Sequence, residues 1–208
     1  MTGRLPTGIT VLDRRLGGGI PSGSIVLLSA TPASQSELFL YELSAARGTL
    51  YLTSVRSVEA VQDAIDRTPG RAGKPTIRDV GSDAPLDHAN RLIRALPEGA
   101  NLIVDIVDVL ERAEPARYRN FLNELQTHMI NTGGLTVLHG LNGRSVPENR
   151  DVTEHMADVV FDLQTDVAGS EIENRLAVPK FRGGAAMEET IKLRLAEEVA
   201  IDTSRDIA

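Results

Sequence analysis

Short, fully apolar runs alternate with amphipathic stretches along most of the chain, the pattern of an α/β protein with a mainly parallel sheet. Ile25-Val26-Leu27-Leu28 is apolar at every position, as a strand covered on both faces must be. It predicts a strand over 24–28, behind the turn-rich Gly17-Gly18-Gly19-Ile20-Pro21-Ser22-Gly23. The spacing of Leu38, Tyr41, Leu43 and Ala45 then predicts a helix from 34 or 36 to 46, stopped by Gly48. A strand over 49–54, a Ser57-capped helix to about 67, the breaker Pro69-Gly70 and a strand over 76–80 follow. Further on come a helix over 86–96 with Leu86, Leu92, Ile93 and Leu96 inward, a nearly all-apolar strand over 101–107, and a helix over 116–130. Thr132-Gly133-Gly134 closes that helix, a strand over 135–138 comes next, and 142–150 reads as a polar loop.

After Ala157 the pattern changes to β-type segments over 159–165, 173–180 and 190–195, separated by Gly169-Ser170 and Gly183-Gly184. They predict an antiparallel extension at one sheet edge, within a single domain spanning 1–202 and followed by a loose tail at 203–208. No repeat, heptad or low-complexity tract interrupts this order.

Composition narrows the chemistry. Of 208 residues 41% are hydrophobic but only 3% aromatic, with no Trp, so the core must be aliphatic. No apolar run approaches the roughly 20 residues of a membrane span, and the first residues lack the apolar stretch of a secretion signal; a cytoplasmic location is expected. The absence of Cys excludes disulfides and thiolate metal sites. A net charge of −7 argues against a strongly basic nucleic-acid surface. Lysine occurs only at Lys74, Lys180 and Lys192; this and the acidic excess fit a salty cytoplasm, as in a halophilic archaeon, or equally a genome rich in arginine codons.

The segment Thr7-Gly8-Ile9, Leu12-Asp13, Leu16-Gly17-Gly18-Gly19-Ile20-Pro21 and Gly23-Ser24 resembles the opening of the KaiC/RadA branch of RecA-like ATPases. The resemblance continues through Leu102-Ile103-Val104-Asp105, His155-Met156-Ala157-Asp158 and Lys180-Phe181-Arg182-Gly183. It implies a three-layer RecA-like domain: a mainly parallel central sheet flanked by helices, with an antiparallel C-terminal extension. It also implies a Walker A loop at residues 29–36, a Walker B aspartate at Asp105, and a pair of catalytic glutamates after the strand at 49–54.

The residues at those positions depart from that chemistry. In G-x-x-x-x-G-K-[ST] the glycines let backbone amides wrap the phosphates and the lysine neutralises them. Here Ser29 and Ser34 stand at the glycine positions, Gln35 at the lysine position, and only Ser36 fits; Thr31 lies within the loop. Serine where φ > 0 is required predicts strain, and Glu37 adds negative charge. Replacing the ammonium by an amide removes a contact worth roughly 1.5–3 kcal/mol. Val55 and Arg56 stand where the glutamates should be, and neither is a general base at neutral pH; Glu59, one turn on, is expected to face solvent.

Asp105 matches the Walker B aspartate, which orients magnesium, but could equally cap a helix or bond Ser36. With Asp108 it makes a poor cation site, and no metal is expected. The resemblance implies that Lys180 and Arg182 reach a neighbour's ATP as fingers acting in trans; the plain alternative is a solvated strand end. His88 and His128 are expected at the surface, His139 follows a strand where related ATPases place a polar sensing residue, and no Ser/His/Asp nucleophile arrangement stands out. Arg144 and Arg150 could mark a DNA-binding loop, although Glu148 and Asp151 cancel their charge and aromatics for base stacking are missing. The expected function is therefore a pseudo-ATPase, without cofactor, acting as a regulatory or assembly module with a second copy or an active RecA/KaiC-like ATPase. An atypical ATPase that still holds ATP and Mg, and a DNA-repair accessory, are the alternatives.

Overall fold

The computed structural model describes residues 3–185 and 187–202; the tail expected at 203–208 lies outside the described residues. In chain order the elements are β1 (Arg4–Leu5), α1 (Thr10–Arg15), β2 (Ile20–Pro21), β3 (Ile25–Ala30), α2 (Glu37–Ala46), β4 (Thr49–Thr53) and α3 (Val58–Arg67). There follow β5 (Thr76–Asp79), α4 (Pro85–Ile93), β6 (Asn101–Asp105), α5 (Asp108–Glu111), α6 (Pro115–Thr132) and β7 (Leu135–Leu141). The chain continues through α7 (Arg150–Met156), β8 (Val159–Ala168), β9 (Glu171–Phe181), β10 (Ile191–Leu195) and β11 (Val199–Ile201).

Nine strands form one sheet in the order β11-β10-β9-β8-β3-β7-β6-β4-β5, while β1 and β2 pair separately. From β8 to β5 every neighbouring pair is parallel; β9, β10 and β11 add on antiparallel. The segment at 159–165 thus belongs to the parallel sheet through β3, and only its successors form the antiparallel extension. Alternation along β3 explains the all-apolar run: Val26, Leu28 and Ala30 enter the core under α1, α2 and α3, while Ile25 and Leu27 enter the one under α4 and α6. Each fully buried Leu or Ile there contributes roughly 1.5–3 kcal/mol.

Boundaries differ from expectation where local signals were short. Helix α4 stops at Ile93 because Ala95 and Leu96 turn back by i−3 hydrogen bonds just before Pro97, which cannot continue a helix. Strand β7 runs to Leu141, three residues beyond the apolar run, since His139 and Gly140 pair with Leu28 and Ser29 of β3. The short α1, α5 and α7 and the three-residue β11 are too brief to show a period. Gly19 has φ 113° and lies where a Cβ would sit 2.3 Å from the Leu5 carbonyl oxygen, so the GGG run lets β1 and β2 close over the start of the sheet.

Candidate functional site

Parallel strands bring their C-terminal ends to one rim, where α/β proteins carry their sites. The order β3-β7-β6-β4 sets the end of β7 between the loop after β3 and the end of β6. In register, Asp105 stands opposite His139 on one side and Thr53 on the other. This places four side chains in a row: Ser36, His139, Asp105 and Arg56.

They are joined. His139 Nδ1 lies 2.7 Å from Asp105 Oδ1, and His139 Nε2 lies 3.0 Å from Ser36 Oγ. Arg56 donates to Asp105 Oδ2 at 2.9 Å, and the Tyr51 hydroxyl donates to the same oxygen at 2.6 Å. Ser36, His139, Asp105 and Tyr51 are all buried; Arg56 is a third exposed. An ionised carboxylate only accepts, so the His139 proton sits on Nδ1 and, in the neutral ring, Nε2 accepts from Ser36. Burial alone would raise the Asp105 pKa, but the His139 ring, then Tyr51 and Arg56, outweigh it and lower the value from 3.8 to about 2. Burial and the Asp105 charge push the Tyr51 phenol well above its usual range.

Asp105 therefore bonds neither Ser36 directly nor a helix end; His139 stands between them. Ser36, His139 and Asp105, although 103 and 34 residues apart in pairs, form the Ser-His-Asp line that sequence spacing did not reveal. All three are buried. Tyr51 was legible only as a strand residue; its role depends on β4 lying beside β6.

The loop ahead of Ser36 is an ordinary turn. The Ser34 amide bonds the Thr31 carbonyl at 2.9 Å, and the Thr31 amide bonds Leu163 at 3.2 Å. Thr31 Oγ1 accepts from the Thr165 amide. No residue from 29 to 36 has positive φ; among the described residues Ala84 is the only non-glycine that does. The expected strain at Ser34 is absent, because the backbone does not adopt the cradle that would demand it. The Ser34 hydroxyl is buried without a partner, and Gln35 is exposed. Val55 is 69% exposed, and Glu59 faces solvent as expected.

A second buried network flanks the first. Arg150, read from the sequence at the end of a polar loop that could mark a DNA-binding segment, opens α7 and is buried. Its guanidinium pairs with Glu111 at 2.9 Å and Asp108 at 2.8 Å, which leaves it nothing to offer a phosphate backbone. Asp108 also accepts from the Leu141 amide. Gly140 makes room: a Cβ there would lie 2.7 Å from the Arg150 guanidinium carbon. Asp105 and Asp108 thus each serve their own basic partner. Among the described residues no group of three or more His, Asp or Glu is placed to hold a metal ion.

Lys180 and Arg182 sit at the end of β9. Lys180 donates to the carbonyls of Glu154 and His155 at 2.8 and 2.7 Å. Arg182 donates to His155 and Met156 at 2.8 and 3.2 Å and lies 3.4 Å from Asp158. Together they satisfy the last carbonyls of α7, where positive charge also opposes the helix dipole. Burial, then Arg182, lowers the Lys180 pKa.

This sheet order with an antiparallel C-terminal edge defines an α/β domain with a RecA-like fold. The solved KaiC-like protein PH0186 from the hyperthermophilic archaeon Pyrococcus horikoshii OT3 superposes with a TM-score of 0.78, over 97% of this chain and 100% of that one, at 17% identity. No curated protein matches the chain. The chain belongs to the Family of unknown function (DUF7125), whose model matches residues 4–208. No helix among the described residues is long and apolar enough to cross a membrane.

Proposed function

We propose that this protein is a pseudo-ATPase: a KaiC-like domain that neither holds nor hydrolyses nucleotide in the ordinary way and acts as a regulatory or assembly module. The observation that carries the reading is the saturation of Asp105. Its oxygens already receive an imidazole, a guanidinium and a phenol, so Arg56 supplies from within the chain positive charge that magnesium would bring, and His139 and Tyr51 fill the remaining acceptor sites. ATP and Mg do not fit the residues present. Two loop amides are spent on internal bonds, Gln35 carries no charge, and Val55 and Arg56 offer no base.

The partner in this reading is a second copy or an active RecA/KaiC-like ATPase. Lys180 and Arg182 would act on a neighbour's nucleotide only by giving up their carbonyl bonds to α7. Thermal melting with and without millimolar Mg-ATP, at low and high salt, tests the proposal. No shift is expected; a saturable rise of several degrees refutes it and favours an atypical ATP-binding protein.

A further inference from the structure

Every residue of β3, β4 and β6 is buried except Leu50. Interior strands of a parallel sheet are ordinarily covered on both faces, so the half-buried Leu50 marks a gap in the helical layer. The gap has a local cause. α4 ends at Ile93 and the chain turns back through Ala95 and Leu96, which leaves the first residues of β4 and β5 uncovered. On that face lies a cavity of about 520 Å³, within the roughly 300–1,000 Å³ of small-molecule sites.

Its lining joins an apolar surface to two opposite charges. The register sets Thr76 and Arg78 beside Leu50 and Leu52, on the face that packs under α4. Leu92, Ala95, Leu96 and Pro97 form the other wall, and Leu50 and Leu92 are only partly covered by the core beneath them. Arg78 and Glu98 both line the cavity. Among the described residues neither forms an ion pair, with the other or with any third group. Arg78 donates to the Ile77 carbonyl at 2.8 Å and keeps the rest of its guanidinium uncommitted. A purely apolar guest would leave both charges unused, an apolar anion would face Glu98, and an apolar cation would face Arg78. A guest that carries both charges beside an apolar side chain meets all three features.

We infer that this cavity binds a free α-amino acid with an aliphatic side chain. The carboxylate pairs with Arg78, whose planar fork suits it. The ammonium pairs with Glu98, which follows the C-terminal end of α4, where the helix dipole also favours a cation. The side chain covers Leu50 and Leu92, and that burial supplies most of the affinity. Both charged residues are exposed, so their pairs with the ligand are screened by water and the Kd is about 0.1–1 mM. The cavity lies at the N-terminal ends of the parallel strands and Asp105 at the C-terminal end of β6, so failure of this inference leaves the pseudo-ATPase reading standing.

Amide NMR of the full chain titrated with L-leucine tests it. Saturable shifts are expected at residues 48–50, 76–78 and 92–100. Glycine lacks the apolar side chain, L-leucinol the carboxylate and 4-methylpentanoate the ammonium; each should bind at least about tenfold more weakly. Arg78→Gln should reduce the affinity for L-leucine to that for L-leucinol, and Glu98→Gln should reduce it to that for 4-methylpentanoate. Both positions are exposed, so the fold tolerates either change. No saturable shift with L-leucine up to about 10 mM, or shifts confined to other segments, overturns the inference. So do variants that bind L-leucine as the wild type does. Equal affinity for L-leucine and 4-methylpentanoate also overturns it, and makes the cavity a site for apolar anions.

Discussion

The Arg56 guanidinium stands 2.9 Å from Asp105 Oδ2, reaching from the loop after β4 to the end of β6. The KaiC/RadA resemblance had assigned the first position to a catalytic glutamate and the second to the Walker B aspartate. Where two carboxylates would repel each other unless a cation lay between them, this chain has an ion pair.

Arg56→Ala should leave Asp105 buried with one charged donor fewer. A hydrogen bond to a charged group is worth about 1.5–3 kcal/mol, and partial exposure of Arg56 discounts this toward the lower end. Urea unfolding should show a loss of about 1–2 kcal/mol at neutral pH, with Asp105→Asn added to Arg56→Ala costing less than the two separate losses combined.

Acid should expose the same network. The folded-state pKa of Asp105 is depressed from 3.8 to about 2, so its stabilisation is present above 3.8 and is lost as pH falls through about 2. The shift corresponds to about 2 kcal/mol. Unfolding free energies measured between these pH values should fall less steeply in Asp105→Asn than in the wild type.

Glu42 should behave in the opposite sense. Burial, opposed by the Val199 amide, raises its pKa, so its carboxyl favours the fold fully below 4.5 and less as pH rises through its folded value. Glu42→Gln keeps an acceptor for that amide and removes the buried charge. Its melting temperature should exceed that of the wild type at neutral pH, and the gain should vanish in acid.

Removing Arg150 should be the most damaging of these changes. Arg150→Met leaves Glu111 and Asp108 buried without their cation, a loss of about 3–5 kcal/mol. Glu111→Leu in the same chain should recover much of it, since an apolar replacement of a buried pair is often neutral. Equal instability of the single and double variants in denaturant titrations would show that the cost lies in packing alone.

Lys180→Ala/Arg182→Ala should loosen the end of α7. The expected loss is about 1 kcal/mol, visible as faster amide exchange in α7 with the sheet unaffected. Loss of a partner's ATPase activity in a mixed assembly, at concentrations where α7 remains protected, would add the action in trans to this structural one.

Most of the strand and helix order was legible because a two-sided parallel sheet demands continuous apolar runs, as at β3 and β6, separated by amphipathic helices. The direction of β8 was not, since Val159 to Thr165 reads the same whichever neighbour it joins. The sequence singled out Gln35, Val55 and Arg56 by residue type, but not the contact of Arg56 with Asp105. Arg150 was misplaced on an exposed loop because its buried partners, Glu111 and Asp108, lie some 40 residues earlier in sequence.

The sequence by itself determined the class of fold and which residue types stand at Gln35, Val55 and Arg56, because those depend on residue type and local spacing. Only the tertiary structure decided what such residues meet. Strand order and register set His139 between Ser36 and Asp105 and turned Tyr51 and Arg56 onto the same carboxylate. A buried carboxylate must find its partners across strands, and nothing in local periodicity records which strands those are.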